Sequence, residues 1–176
     1  MPGYVLFNFF IYCVINAFTP GPGNILALNT ITNYGWKKGR PLFFGIFAGY
    51  YCVQTICAIF VYGVGEFLPQ ALEVIKYIGA AYILWLTIHI AFSKPDTEDD
   101  EKSASFLKGF LLQFVNVKIY MFGITAITGF VTGYSTSFPV LMGFEMFIAT
   151  IGSIATLTWI GMGALIQKFY IRHYRG

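Results

Sequence analysis

Apolar residues run along this 176-residue chain in long blocks, not in the short alternating stretches of a half-buried sheet. Five blocks stand out, at residues 4–34, 41–65, 72–92, 106–132 and 138–166. All are too long for core strands, and each suits a helix that crosses a bilayer, which needs about 20 residues. Polar punctuation separates them. Lys37, Lys38 and Arg40 follow the first block, Glu66, Glu73 and Lys76 surround Pro69, and the acidic stretch Ser93–Ser105 precedes the fourth. The segment from Gly133 to Pro139 separates the last two blocks without a charge. The pattern predicts an all-α polytopic membrane protein with five transmembrane helices.

The first block is too long for one perpendicular helix, and its middle reads Thr19-Pro20-Gly21-Pro22-Gly23-Asn24. Proline removes an N–H and clashes with the preceding turn, and glycine adds backbone freedom, so the helix is expected to break at Pro20–Gly23. One reading is a surface turn between two short interfacial helices. The sharper reading is a single discontinuous span broken near mid-membrane, because no charge flanks the break before Lys37. Non-helical backbone at that depth is tolerated only inside protein or beside water. The second half-helix, from about Asn24, would present free N–H groups and a positive dipole end; the first, ending near Asn16–Thr19, would present free carbonyls. Together they suit a small zwitterion, its carboxylate at the N–H groups and its ammonium at the carbonyls. Thr19, Pro20, Gly21, Pro22 and Asn24 are therefore candidate substrate-binding residues.

The fourth block carries a second polar interruption, Gln113-Phe114-Val115-Asn116-Val117-Lys118. A lysine at the bilayer centre costs at least about 2.5–3.5 kcal/mol on insertion scales, so Lys118 should face a cavity or a partner. It is either a structural lysine that snorkels or pairs with Glu145, or a cation that meets substrate carboxylate, with Gln113 and Asn116 adding polar atoms on nearby turns. Glu145 lies about two turns into the fifth block. It is read either as a proton-coupling carboxylate or as a vestibule or Lys118-paired acid. The two interruptions share a spacing: a shift of 97 residues carries Pro20 onto Val117, the first loop onto the turn near 132, and the second block onto the fifth. This suggests inverted repeats. Residues 1–92 would form the first, with spans 1–3. Residues 93–105 would form an acidic cytoplasmic linker, too polar to bury a core. Residues 106–176 would form the second, with spans 4–5 and the sixth span absent.

Composition narrows the class. Hydrophobic residues make up 57% of the chain and charged residues 11%, against about 25% charged in soluble domains. Such a chain is neither a soluble globule nor disordered. A net charge of +3 without a basic stripe argues against nucleic acid. Of the nineteen charged residues, seventeen frame the blocks and two, Lys118 and Glu145, do not. The first loop, the acidic linker region and the C-terminal tail each hold three Lys or Arg and fall on one side of a five-span arrangement. The positive-inside rule then places the N-terminus outside and the tail in the cytoplasm. No basic segment precedes the first block and no small-residue cleavage site follows it, so it reads as a retained span.

The remaining features read as packing or interface. Cys13, Cys52 and Cys57 sit in apolar runs with no disulfide or metal spacing. His89 reads as interfacial; Gly45 with Gly49, and Gly129 with Gly133, read as small-residue contact stripes. Trp36, Trp159, Tyr170 and Tyr174 read as interfacial or packing aromatics. No nucleophile–base pair or phosphate loop points to an enzyme, and no cofactor or metal is implied.

At this point the residues resemble a family. Phe18-Thr19-Pro20-Gly21-Pro22-Gly23-Asn24, followed by Leu26 and Ala27, is similar to the first-span motif of LysE/RhtB-type amino-acid exporters. Asn33 to Gly39, Gly45, Gly49 and Tyr77 to Leu86 resemble that family's first loop and its second and third spans. Members usually show Asn-Pro-Lys in span four, where Val117 stands here. That variant, with Ile151-Gly152-Ser153, is similar to the cysteine/O-acetylserine efflux branch. Members usually carry Asn at the position of Gly23 and a sixth span after the basic segment Gln167–Arg175. The resemblance implies a secondary exporter of a small zwitterionic metabolite across the bacterial inner membrane, in contact with lipid and possible as a homo-oligomer. Two alternatives stay open: a metal-ion exporter of the same superfamily, and a five-span non-transporting or truncated subunit.

Overall fold

The computed structural model describes residues 1–64, 77, 81, 84 and 104–174, with side chains of the last helix as far as Lys168. Among these residues there are five helices and no strand: α1 (Gly3–Phe18), α2 (Pro22–Gly63), α3 (Phe106–Val115), α4 (Val117–Phe130) and α5 (Phe138–Tyr174). Most of the third apolar block and of the acidic stretch, with His89, lies outside the described residues.

The prolines set the first break. Thr19 and Gly21 each precede a proline, which disfavours the helical region for both, and both are extended (φ −61°, ψ 138° and φ −156°, ψ 169°). Pro22 already starts α2, because a proline at the first helical position gives up an N–H that has no partner there anyway. The break is thus Thr19–Gly21, shorter than the expected Pro20–Gly23, and Pro22 and Gly23 are helical.

A second device lies inside α2. Gly35 has φ 71° and ψ 176°, which a side chain would make strained. Contacts along α5 show that the chain reverses there. Phe9 packs on Phe144 at 5.1 Å, the Phe18 carbonyl meets Trp159, Asn24 bonds Thr156, Leu28 and Ile31 lie against Gly163, and Gly35 faces Gln167. α1 and the first limb of α2 therefore follow α5 in the same direction. Past Gly35 the order inverts: Tyr50 lies at Gly152, Gln54 and Glu145 flank Gly123, and Tyr62 meets Phe138 edge-on at 5.4 Å. The Thr19–Gly21 break falls opposite Thr156–Trp159, midway along the stretch of α5 from Phe144 to Gln167.

The fourth block also breaks. α3 and α4 bend by 56° at Asn116 (φ −85°, ψ 88°). The bend forms without a proline, since Val117 follows Asn116. The α2 limb beyond Gly35 runs alongside α3 and α4, with Leu42 on Gly109, Gly49 on Gln113 and Gln54 on Gly123. Backbones touch there: a Cβ on Gly45 would strike the Phe106 carbonyl, and one on Gly109 the Leu42 carbonyl. Among the described residues, nothing lies within 4 Å of a Cβ placed on Gly129 or Gly133.

Among the described residues, α2 and Phe138–Lys168 are each long and apolar enough to cross a membrane, and the bent α3–α4 pair makes a third. Large apolar side chains such as Tyr4, Phe7, Phe44, Ile59 and Leu165 point outward, as a lipid surround allows. Between the helices, Phe9, Phe43, Ile46, Ile127, Leu141 and Ile148 are buried in the core.

Candidate functional site

The two breaks meet. α1 and α4 run antiparallel, with Phe9 against Phe130 at one end and Thr19 against Lys118 at the other. Lys118 follows the Asn116 bend by two residues and crosses to the first break, where its Nζ donates to the Thr19 carbonyl at 2.6 Å. A cation at the carbonyl end of a helix is favoured by the dipole and by a charge-assisted bond. Gly21 leaves the room: a Cβ there would lie 2.9 Å from Lys118 Cδ and 3.2 Å from Nζ. Two residues on, a Cβ on Gly23 would lie 3.2 Å from Gln113 Oε1. The asparagine usual in the family at Gly23 would press on Gln113 here.

Of the carbonyls expected to be free at the end of α1, those of Ala17, Phe18 and Thr19 are occupied. Ile15 accepts from the Thr19 backbone N–H (3.1 Å) and from its hydroxyl (2.6 Å). Ala17 accepts from Asn24 Nδ2 (3.0 Å), Phe18 from Trp159 Nε1 (3.2 Å), and Thr19 from Lys118. Asn24 is buried, and its Oδ1 accepts from Thr156 Oγ1 at 2.8 Å. Its side chain thus stitches the break to α5. At the helix starts the picture differs. Neither N-cap residue, Gly21 of α2 or Asn116 of α4, makes a side-chain capping bond.

Thr19, Pro20, Gly21, Pro22, Asn24, Gln113, Asn116 and Lys118 therefore gather at one crossing of four half-helices. A groove of about 550 Å³ opens beside it, lined by Pro22, Ile25, Asn29, Lys108, Leu111 and Val115. Glu145 is elsewhere. From Thr156 it is three turns along α5, about 16 Å at 1.5 Å per residue, and it does not pair with Lys118. Both its oxygens lack a hydrogen-bond partner among the described residues. Gln54, Thr156 and Trp159 are polar contributors that sorting the charges could not find. An uncharged polar residue deep in an apolar block was their only mark. Among the described residues no three His, Cys, Asp or Glu side chains are grouped to hold a metal, which leaves the metal-exporter reading without a ligand set there.

A set of apolar helices with two broken segments crossing at a polar centre defines a membrane translocator. Residues 14–175 match the LysE type translocator family, and the chain belongs to that family. It is 36% identical over 177 residues to the cysteine/O-acetylserine efflux protein of Shigella flexneri serotype 5b, a match covering 99% of this chain and 90% of the relative. It is 36% identical over 173 residues to the cysteine/O-acetylserine efflux protein of Escherichia coli strain K12, covering 97% and 88%. No solved structure matches. The protein is thus a membrane transport protein and not an enzyme.

Proposed function

We propose that this chain is a secondary-active exporter of amino acids or close metabolites across the bacterial inner membrane, with cysteine and O-acetylserine its favoured cargo. Membership of the translocator family supports export, and the names of the two relatives support the cargo class. The single observation that carries the site is the Lys118 ammonium seated on the Thr19 carbonyl. Lys118 holds the place that a substrate ammonium would take. A zwitterion entering between the breaks would give its own ammonium to the Thr19 carbonyl and its carboxylate to the displaced Lys118. The uncapped start of α2, beside Gly21, adds a favourable dipole for that carboxylate. Gln113 and Asn116 line the crossing, and Asn24 positions the break.

The remaining elements follow from this reading. The antiparallel broken segments, 1–34 and 106–132, favour two inverted repeats, 1–92 and 106–176, joined by 93–105 and rocking about the crossing. The basic loops favour an outside N-terminus and a cytoplasmic tail. Glu145 is the candidate for exchanging a proton against substrate. The test is export from loaded proteoliposomes with a panel of cysteine, O-acetylserine, threonine, homoserine and lysine. The proposal predicts counterflow of cysteine or O-acetylserine, lost in Lys118→Met. Wild-type counterflow of none of the panel, or full counterflow in Lys118→Met, would overturn it.

A further inference from the structure

A second polar pocket lies away from the breaks, between α2, α4 and α5. Gln54 and Glu145 are both 0% exposed. Among the described residues, Gln54 Nε2 and Oε1 and both Glu145 oxygens have no hydrogen-bond partner. Four buried polar atoms without partners are costly, about 1–3 kcal/mol for each group left unsatisfied, and such groups call for a reason. The two side chains also converge. A Cβ on Gly123 would lie 2.5 Å from Gln54 Oε1 and 2.9 Å from Glu145 Oε2. Gly123 is the residue whose missing side chain lets both oxygens reach one spot.

We infer that Gln54 and Glu145 form a single proton-binding site in which Gln54 serves both protonation states. The inference rests on the exporter reading for its biological use, but the proton site stands or falls separately. An amide carries an acceptor and two donors on one rotatable group, whereas a carboxyl changes from donor to acceptor as it loses its proton. With the proton on Glu145, its O–H donates to Gln54 Oε1. With the proton released to water on the other side, the amide turns over and Gln54 Nε2–H donates to the carboxylate. A hard metal cation is a poor fit, since it takes about six or more oxygen ligands and the pair supplies three. Among the described residues, the titratable groups within electrostatic reach of Glu145 are Cys13 of α1 and Cys57 of α2, with Tyr12 beside Cys13 and Tyr120 of α4 beside Cys57. None of them is a base that would hold Glu145 in a fixed ion pair.

The test uses a carbodiimide, which modifies buried carboxyl groups only while they carry a proton, read by mass spectrometry on the purified full chain. Wild type is expected to label at Glu145 with a half-labelling pH inside the working range. Gln54→Leu is expected to raise that pH by about one unit, since it removes a bond from both forms and the charge-assisted one to the carboxylate is the stronger. Gly123→Ala, which wedges the two side chains apart, should do the same and guards against a folding failure of the first variant. Export driven by an imposed proton gradient should fall at least tenfold in Gln54→Leu. Labelling of Glu145 that is absent in wild type, or a half-labelling pH unchanged in both variants, would overturn the inference. A shifted labelling pH with no transport of any amino acid would instead uphold the proton site and remove the exporter reading.

Discussion

The two polar regions of this molecule differ in kind: the crossing of the breaks is partly exposed, and the Gln54–Glu145 pair is fully buried. At the crossing of the breaks Asn24, Thr156, Lys118 and Trp159 all have partners, and Gln113 Oε1 is the exception. Asn24 is bonded at both ends, Thr156 donates to it, and Lys118 and Trp159 each hold a carbonyl of the α1 terminus. At Gln54 and Glu145 no polar side-chain atom has a partner among the described residues. α5 serves both, with Thr156 at the first and Glu145 at the second. A satisfied network fixes a geometry, and an unsatisfied one waits for a ligand. The difference separates a shaped seat, closed by its own lysine, from a site whose occupant is small enough to need no cavity.

The comparison can be broken by substitution, beginning with the largest expected effect. Lys118→Met should reduce counterflow by about tenfold to a hundredfold, the equivalent of one charge-assisted hydrogen bond of about 1.5–3 kcal/mol. Lys118→Arg should fall between that variant and wild type, because a guanidinium keeps the charge but not the shape. Asn24→Ala should lower thermal stability in detergent by about 1–3 kcal/mol, since the Ala17 carbonyl loses its buried partner. Gln54→Leu should do the reverse, leaving stability unchanged or raising it by up to about 1 kcal/mol, because an apolar group replaces one that makes no bond. Equal melting losses in these two variants would erase the distinction between the regions. The smallest effect belongs to Gly129→Ala. Its added methyl meets nothing within 4 Å among the described residues, so stability should stay within about 0.5–1 kcal/mol of wild type, on the favourable side for a helical position.

The sequence made the first break legible because proline and glycine act locally. Thr19 and Gly21 leave the helix owing to the residue that follows each of them, and no tertiary contact is needed to see it. The bend at Asn116 was harder, because without a proline only the polar run Gln113 to Lys118 marked it. The reversal at Gly35 was indicated by the basic loop beside it. What stayed hidden is what depends on crossing angles. Nothing local says that Lys118 reaches across 99 positions to the Thr19 carbonyl, or that Asn24 finds Thr156. Charge alone offers Glu145 as one partner for Lys118, the other charge inside a block, whereas the lysine sits on a backbone carbonyl. Gln54 was invisible for the same reason: an uncharged amide in an apolar run has no periodicity and no motif, and only its convergence with Glu145 on Gly123 gives it meaning.

The most direct test of the central claim compares a zwitterionic substrate with its carboxyl-blocked amide in counterflow, on wild type and on Lys118→Met. If Lys118 leaves the Thr19 carbonyl to take the substrate carboxylate, wild type should prefer the free acid over the amide by about tenfold or more, and Lys118→Met should not distinguish them. An equal preference for the free acid in both proteins would contradict the account, since the carboxylate would then be read without Lys118.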